Sequence, residues 1–482
     1  MSIFKILNIT YGKKMLKYIS LITISIFSAH VFADDSNIVN EAEALAVDGK
    51  FYAASYNVPY DEAVRRLLIM HGTHTSISTL KGQVKNNLQG IYYDNSKNNF
   101  GLTVDVNHFP STVIKSINVT PRSSSAIQKI LSSKGNSTLR SKFKITDSDI
   151  RTVATLYSQS LSAPITLNKK IYKLKDERIL NINSKRQLLK KALPELKLVY
   201  DDERTGNAKV YVKSDNGNAK QIAEKILNVP VQVIITPYGS RVATRGGSPL
   251  TSQNIPVCFS GFIGSRNGKL GIITAGHCAN DKNYSSYLYK DRDGTQYTIP
   301  LLPVTQPITS GWRDDSISDL GFLPAGTTTQ QAAKAEFYAD STVNFRKLTA
   351  TKTRLGTAWD NGTVNGAYIC HLGKTAPLVA TLTQSCGEVE SINSSNADGQ
   401  GNTFVAVKNT DGNAGYPHTT GNGSLRCYPG DSGSPWFAGT TGYGIMHACF
   451  WQSPEDSSTP VTVSIYTSLD YLNSIGTTIV TQ

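Results

Sequence analysis

The feature that most constrains this chain is where its cysteines fall. Cys258, Cys278, Cys370, Cys386, Cys427 and Cys449 all lie in the second half of the 482 residues. An even number points to three disulfides and an oxidising compartment, although six cysteines allow many pairings. No Cys-x-x-Cys pair occurs, which argues against a zinc site, and no metal or cofactor is expected. The charge changes at the same place. The formal net charge is +13, yet residues 242–482 carry 15 Lys and Arg against 17 Asp and Glu. The positive charge therefore belongs to the first half, where acids are interspersed. No dense Lys/Arg cluster interleaves with aromatics, which excludes a nucleic-acid partner.

The N-terminus reads as an export signal over residues 1–33. Lys13, Lys14 and Lys17 precede the apolar run YISLITISIFSAHVFA, with Val31 and Ala33 placed for cleavage before Asp34. The run is shorter than the roughly 20 residues of a spanning helix. The chain is expected to be secreted, through a periplasm if the host has one, as a monomer with no stable membrane insertion.

Residues 34–241 alternate helical and strand patterns. DEAVRRLLIM puts Val64, Leu67 and Leu68 on one helical face. KLVYDDERTGNAKVYVK reads as a hairpin, and AKQIAEKIL as another helix. The Ser-, Lys- and Thr-rich residues 111–165 read as an insertion or linker. His71 and His74, in HGTH, have no nearby acid or cysteine and are not read as metal ligands. Beyond residue 241 the chain turns to short β-type runs such as GKLGIITAG, TFVAVKN and GYGIMHACF, and YTSLDYLNSIG near the end is helical. Residues 242–482 therefore read as an all-β sandwich or barrel with a C-terminal helix, long enough for two barrels.

Within that half, RCYPGDSGSPWF seats Ser432 beside Asp431, between Gly430 and Gly433. A serine hydroxyl is a weak nucleophile and needs a base, usually a histidine oriented by a carboxylate. His277 ends an apolar strand in GIITAGHCAN, beside a cysteine that would hold it in place. Asp319 heads the apolar strand in SISDLGFL, and Asp314 and Asp315 are polar-loop alternatives. The order His277, Asp319, Ser432 is that of chymotrypsin-like hydrolases, and the α/β-hydrolase elbow is not met because Ser434 replaces its second glycine.

TAGHC and GDSG in this order, YICHLGKTAP with the later SCG, and the closing SLDYLNSIGTTIVT resemble the chymotrypsin-fold bacterial serine proteases of the alpha-lytic protease and streptogrisin branch. YAASYNVPYDEAVRRL and LQGIYYDNSKNNFGLTVDV resemble that branch's pro-regions. The resemblance implies an α/β pro-region at 34–241 that aids folding and inhibits, cut away near Arg241 to Gly247. It implies a protease at 242–482 built of two antiparallel six-stranded barrels, acting on proteins or peptides. It implies His277 as general base, Asp319 as its orienter, Ser432 as nucleophile, and an oxyanion hole at the N–H groups of Gly430 and Ser432. The implied disulfides are Cys258–Cys278, Cys370–Cys386 and Cys427–Cys449, each worth roughly 3 kcal/mol by loop entropy. It also implies a buried Asp431 needing a cationic partner. The branch's usual arginine is here His371, with Lys374 nearby, so one of these two is expected against Asp431. Arg426, Tyr428 and His447 are the expected specificity-pocket residues. No acid precedes the nucleophile turn in GNGSLRCYP, so an apolar residue is expected on the acyl side of the cut bond, with glutamate as second choice. The rival reading is a catalytically inert, exported binding or adhesin protein of the same fold.

Overall fold

Strand and helix patterning in the first half produces two α/β lobes. The computed structural model describes residues 38–482 except 73–75, 97, 99, 237, 242–247, 253–254, 291–295, 303–306, 326–332, 341, 343, 356–361, 373–383, 411–424, 428–429 and 452–460. The expected signal, Lys374, Tyr428, His74 and most of the expected cleavage segment lie outside these residues. In the first lobe, α1 (Glu41–Tyr56) is capped by Asn40, whose side chain accepts from the Glu43 N–H at 2.9 Å. Helix α2 (Tyr60–His71) buries Val64, Leu67 and Leu68, as its periodicity predicts. Four strands complete the lobe, in the order 88–94, 101–106, 161–169, 116–119. The expectation of a linker at 111–165 is corrected. The segment holds the strand Ser116–Val119 and three helices, Ser124–Ser132, Ser137–Phe143 and α3 (Asp147–Tyr157). Its polarity reflects exposed outer faces. It is anchored where Arg122 pairs with Glu41 and lies 3.8 Å over the Tyr157 ring. The second lobe carries the predicted hairpin, β1 (Leu196–Asp202) with Asn207–Val212, and the helix Ala219–Leu227.

The short strand β2 (Tyr238–Arg241) follows, and the chain then becomes all-β. One group of strands forms two sheets. The first runs 255–259, 249–252, 286–290, 296–300; the second runs 312–314, β3 (Asp319–Pro324), 269–274, 263–266, 478–479. The other group is β4 (Tyr368–His371), β5 (Ser385–Ser394), β6 (Phe404–Lys408), β7 (Pro435–Ala438), β8 (Thr441–Trp451) and β9 (Val463–Ser468). These six pair in the circuit β8, β7, β4, β5, β6, β9 and back to β8, a closed barrel. Among the described residues the earlier strands do not close into a second ring. The expected C-terminal helix is a 3₁₀ helix, Leu469–Ile475, stopped by Gly476 at φ +66°.

Two of the apolar clusters run across both halves. Leu198, Tyr200 and Tyr211 of the second lobe pack with Ala406, Ala448, Phe450, Val463 and Ile465 of the barrel. Buried ion pairs cross the same boundary. Asp48 of α1 meets Arg346, Arg204 meets Glu388, and Lys209 meets Glu390. His71, at the end of α2, bonds the Tyr443 hydroxyl at 2.6 Å through Nδ1. Finally, β2 lies antiparallel on the free stretch of β8, with Arg241 opposite Ala448 and Tyr238 opposite Trp451.

Candidate active site

The strand 269–274 ends in a single helical turn, Gly276–Ala279, which carries His277. Glycine is required before it, because a Cβ at residue 276 would stand 1.8 Å from the Arg313 carbonyl oxygen. The Cys258–Cys278 disulfide ties the turn to strand 255–259. Asp319, fully buried at the head of β3, reaches this turn twice. Its Oδ1 accepts from the His277 backbone N–H at 2.9 Å, and its Oδ2 lies 2.7 Å from His277 Nδ1. The Asp319 N–H donates to Thr467 Oγ1 at 3.1 Å, which fixes the carboxylate from the barrel side.

On its other side, His277 Nε2 lies 2.9 Å from Ser432 Oγ. Ser432 sits in a turn whose glycines cannot be replaced freely. Gly430 has φ +121° and Gly433 φ +89°, and a Cβ at Gly433 would meet Phe259 O and Thr274 Oγ1 at 2.4 Å each. The turn is held by Phe259 N–H to Ser432 O (3.3 Å), Gly433 N–H to Met446 O (3.0 Å) and Ser434 N–H to Asp431 O (3.1 Å). The Cys427–Cys449 disulfide joins the segment ahead of Ser432 to β8, and Cys370–Cys386 joins β4 to β5. Of the three acids weighed for the histidine, Asp319 is the one bonded to it. Asp315 instead closes a polar turn, accepting from Arg313, Ile317 and Ser318.

Burial alone would push the Asp319 carboxyl up. The electrostatic attraction and hydrogen bonds of the two imidazole Nδ1–H groups, of His277 and His447, outweigh it and hold the group well below the usual carboxylate range. His447 corrects an expectation. Read as a pocket residue, it turns its ring to Asp319 instead, with Nδ1 2.6 Å from Oδ2, and is fully buried. His371 corrects another. It does not serve as the hydrogen-bonding partner of Asp431; its Nε2 donates to the Arg426 carbonyl at 2.8 Å, and among the described residues its Nδ1 has no hydrogen-bond partner. Burial against Trp436, at 4.7 Å between ring centroids, is the reason. It disfavours an imidazolium and lowers the group to about 4, although the Arg426 bond acts in the opposite direction. Arg426 is itself buried, with its carbonyl also accepting from Ser385 Oγ at 2.8 Å.

Chemically, the row from carboxylate to imidazole to hydroxyl is a path for moving one proton off Ser432 Oγ. His447 was missed in this role because its spacing from Ser432 marks a neighbouring strand and says nothing of which way the ring points. No family model and no curated protein matches the chain. Solved structures similar to about half of it are bacterial chymotrypsin-like and alpha-lytic-type serine proteases. A Cellulomonas bogoriensis chymotrypsin is 18% identical, with a TM-score of 0.32, covering 50% of this chain and 100% of its own. Protease A of Thermobifida fusca is 17% identical, with a TM-score of 0.31 and the same coverage. An alpha-lytic protease homologue, N4, is 16% identical, with a TM-score of 0.31, covering 49% of this chain and 98% of its own.

Proposed function

We propose that the chain is a secreted serine endopeptidase made as a precursor, in which residues 34–241 are the pro-region and 242–482 the enzyme. The observation that carries this is the unbroken row Asp319, His277, Ser432, with contacts of 2.7 and 2.9 Å. Ser432 Oγ attacks the carbonyl carbon of a peptide bond while His277 Nε2 takes its proton. The N–H groups of Gly430 and Ser432 receive the oxyanion. His277 then returns the proton to the leaving amine, and water releases the acyl group by the same route. Asp319 holds the imidazole in the tautomer this requires.

The position of β2 supports self-processing. It occupies the edge of β8 in antiparallel register, the way an extended peptide adds to a sheet, with Arg241 opposite Ala448. Cleavage is proposed within Arg241 to Gly247. The turning of the His447 ring to Asp319 removes one of two side chains that favoured glutamate, which leaves an apolar acyl-side residue as the preferred substrate feature.

An active-site serine reagent tests the reading. Labelling of Ser432, with loss of peptide hydrolysis in Ser432→Ala by roughly 10⁴-fold or more, is the expected result. An unlabelled, folded protein would favour the inert binding module.

A further inference from the structure

Strand β8 does not pair evenly with β9. Met446 faces Tyr466 and Ala448 faces Ile465, so His447 is the extra residue of a bulge. A bulge re-aims a side chain that regular alternation would send elsewhere. Here it sends the imidazole to the catalytic carboxylate. His447 Nδ1 lies 2.6 Å from Asp319 Oδ2, the oxygen that His277 Nδ1 also meets at 2.7 Å. The tautomer follows from the far side of the ring. The Ala397 backbone N–H donates to His447 Nε2 at 3.3 Å, and a backbone amide can only donate, so Nε2 carries the lone pair and Nδ1 the proton. Phe404, at 5.0 Å between ring centroids, backs the ring.

We infer that His447 is a positioning residue for the proposed hydrolysis, holding Asp319 in the plane of the His277 ring by a fixed Nδ1–H donor. With it, the buried carboxylate accepts three N–H groups: the backbone and side chain of His277 on one side and His447 on the other. Without it, Oδ2 keeps one partner and the carboxylate can rotate off the imidazole. The same residue also lies against the nucleophile: its backbone carbonyl is 3.3 Å from Ser432 Oγ, whose single proton faces His277 Nε2 at the shorter 2.9 Å. That contact is made by backbone and survives any substitution that keeps the bulge.

The inference rests on the peptidase reading, and its test separates the two. His447→Asn places an amide N–H where Nδ1 stands and keeps the donor. His447→Leu fills the site without one. Rates are normalised to sites titrated with a serine reagent in the processed enzyme. The expected result is a fall in kcat of about 10- to 100-fold for His447→Leu, the size of one lost charge-assisted hydrogen bond. KM should stay within about twofold, and His447→Asn should restore kcat to within about threefold of the parent. Unchanged kcat in both variants overturns the inference. So does an equal loss in both, or a loss carried by KM, since these mean a packing role only. An inactive, unlabelled parent protein instead sinks the peptidase reading itself.

Discussion

Removing the Asp48 carboxylate should loosen the N-terminal half from the barrel more than any other single truncation on α1. Asp48 is buried in a site made by the other half. It accepts from Arg346 Nη1 at 3.1 Å and Nη2 at 3.0 Å, from Gln384 Nε2 at 2.8 Å and from the Gly439 N–H at 2.6 Å. Arg346 is equally buried and stacks 5.1 Å over the Phe437 ring. Asp48→Ala leaves that guanidinium without a counter-charge, and breaking a buried pair from one side costs about 3–5 kcal/mol. At about 1.4 kcal/mol per decade, the opening equilibrium of α1 rises roughly 10²- to 10³-fold or more. Amide hydrogen exchange of residues 41–56 reads this directly when reclosing is fast. It is measured in the full chain carrying Ser432→Ala, so that no cleavage intervenes. A second variant isolates the cause. Asp48→Leu combined with Arg346→Met removes both charges and should recover most of the protection. Exchange within threefold of the parent in Asp48→Ala, or a double variant as loose as the single one, would refute the reasoning.

Acid should weaken the same boundary. Burial lowers His71 to about 3 against an ordinary value of 6.5, so a detached His71 gains a proton that the docked one refuses. Docking is therefore complete above about pH 6.5 and weakens as pH falls towards 3, by at most about tenfold per unit. Burial pushes the Glu388 and Glu390 carboxyls up, but Arg204 with Lys408, and Lys209 with Lys408, outweigh it and hold them below the usual range. They add to the loss only below about pH 4.5. Size-exclusion of the cleaved complex from pH 7 to 4 checks both, and pH-independent association contradicts them. Gly433→Ala should abolish serine-reagent labelling, because its backbone lies at φ +89° and its Cβ would meet two oxygens at 2.4 Å; full labelling would show that the turn gives way. Residues 242–482 alone should refold poorly under oxidising conditions and recover activity when residues 34–241 are supplied, since the barrel leaves Ala448, Phe450 and Ile465 to be covered by Leu198 and Tyr200. Equal recovery in both tubes counts against it.

The parts of the site that were legible in the sequence are those encoded within a few residues. A strand that runs into Gly276–His277–Cys278 and a serine between two glycines each carry a local geometric demand, and Gly276 and Gly433 display it in the structure. Asp319 was readable because a carboxylate heading an apolar strand must find a partner. What stayed hidden depends on distant pairing. Glu388 and Glu390 alternate with apolar residues on one strand and could face solvent, until Arg204 and Lys209 arrive from more than 180 positions away. The totals of charge on the two halves say nothing of this, since the halves meet through a few specific ion pairs. The inward ring of His447 depends on a bulge, which changes side-chain parity without leaving a mark in composition. His371 was assigned by analogy of position, and its neighbour Trp436 makes the charge that role needs unfavourable.

The disulfides divide the chain by durability. All three close loops between residues 258 and 449, at separations of 20, 16 and 22 residues, and the first 257 residues have none. Inside the intact chain the contacts that cross the boundary couple the two parts. Were the backbone cut between them, as proposed, each part would meet surrounding proteases with its own opening equilibrium. Covalent closure lowers the chain entropy of the unfolded barrel and so lowers its open population. The N-terminal lobes, held only by reversible contacts, have no such protection. If the proposed cleavage occurs, separation should run one way: a detached N-terminal half is open to digestion, which drains the equilibrium that would bring it back.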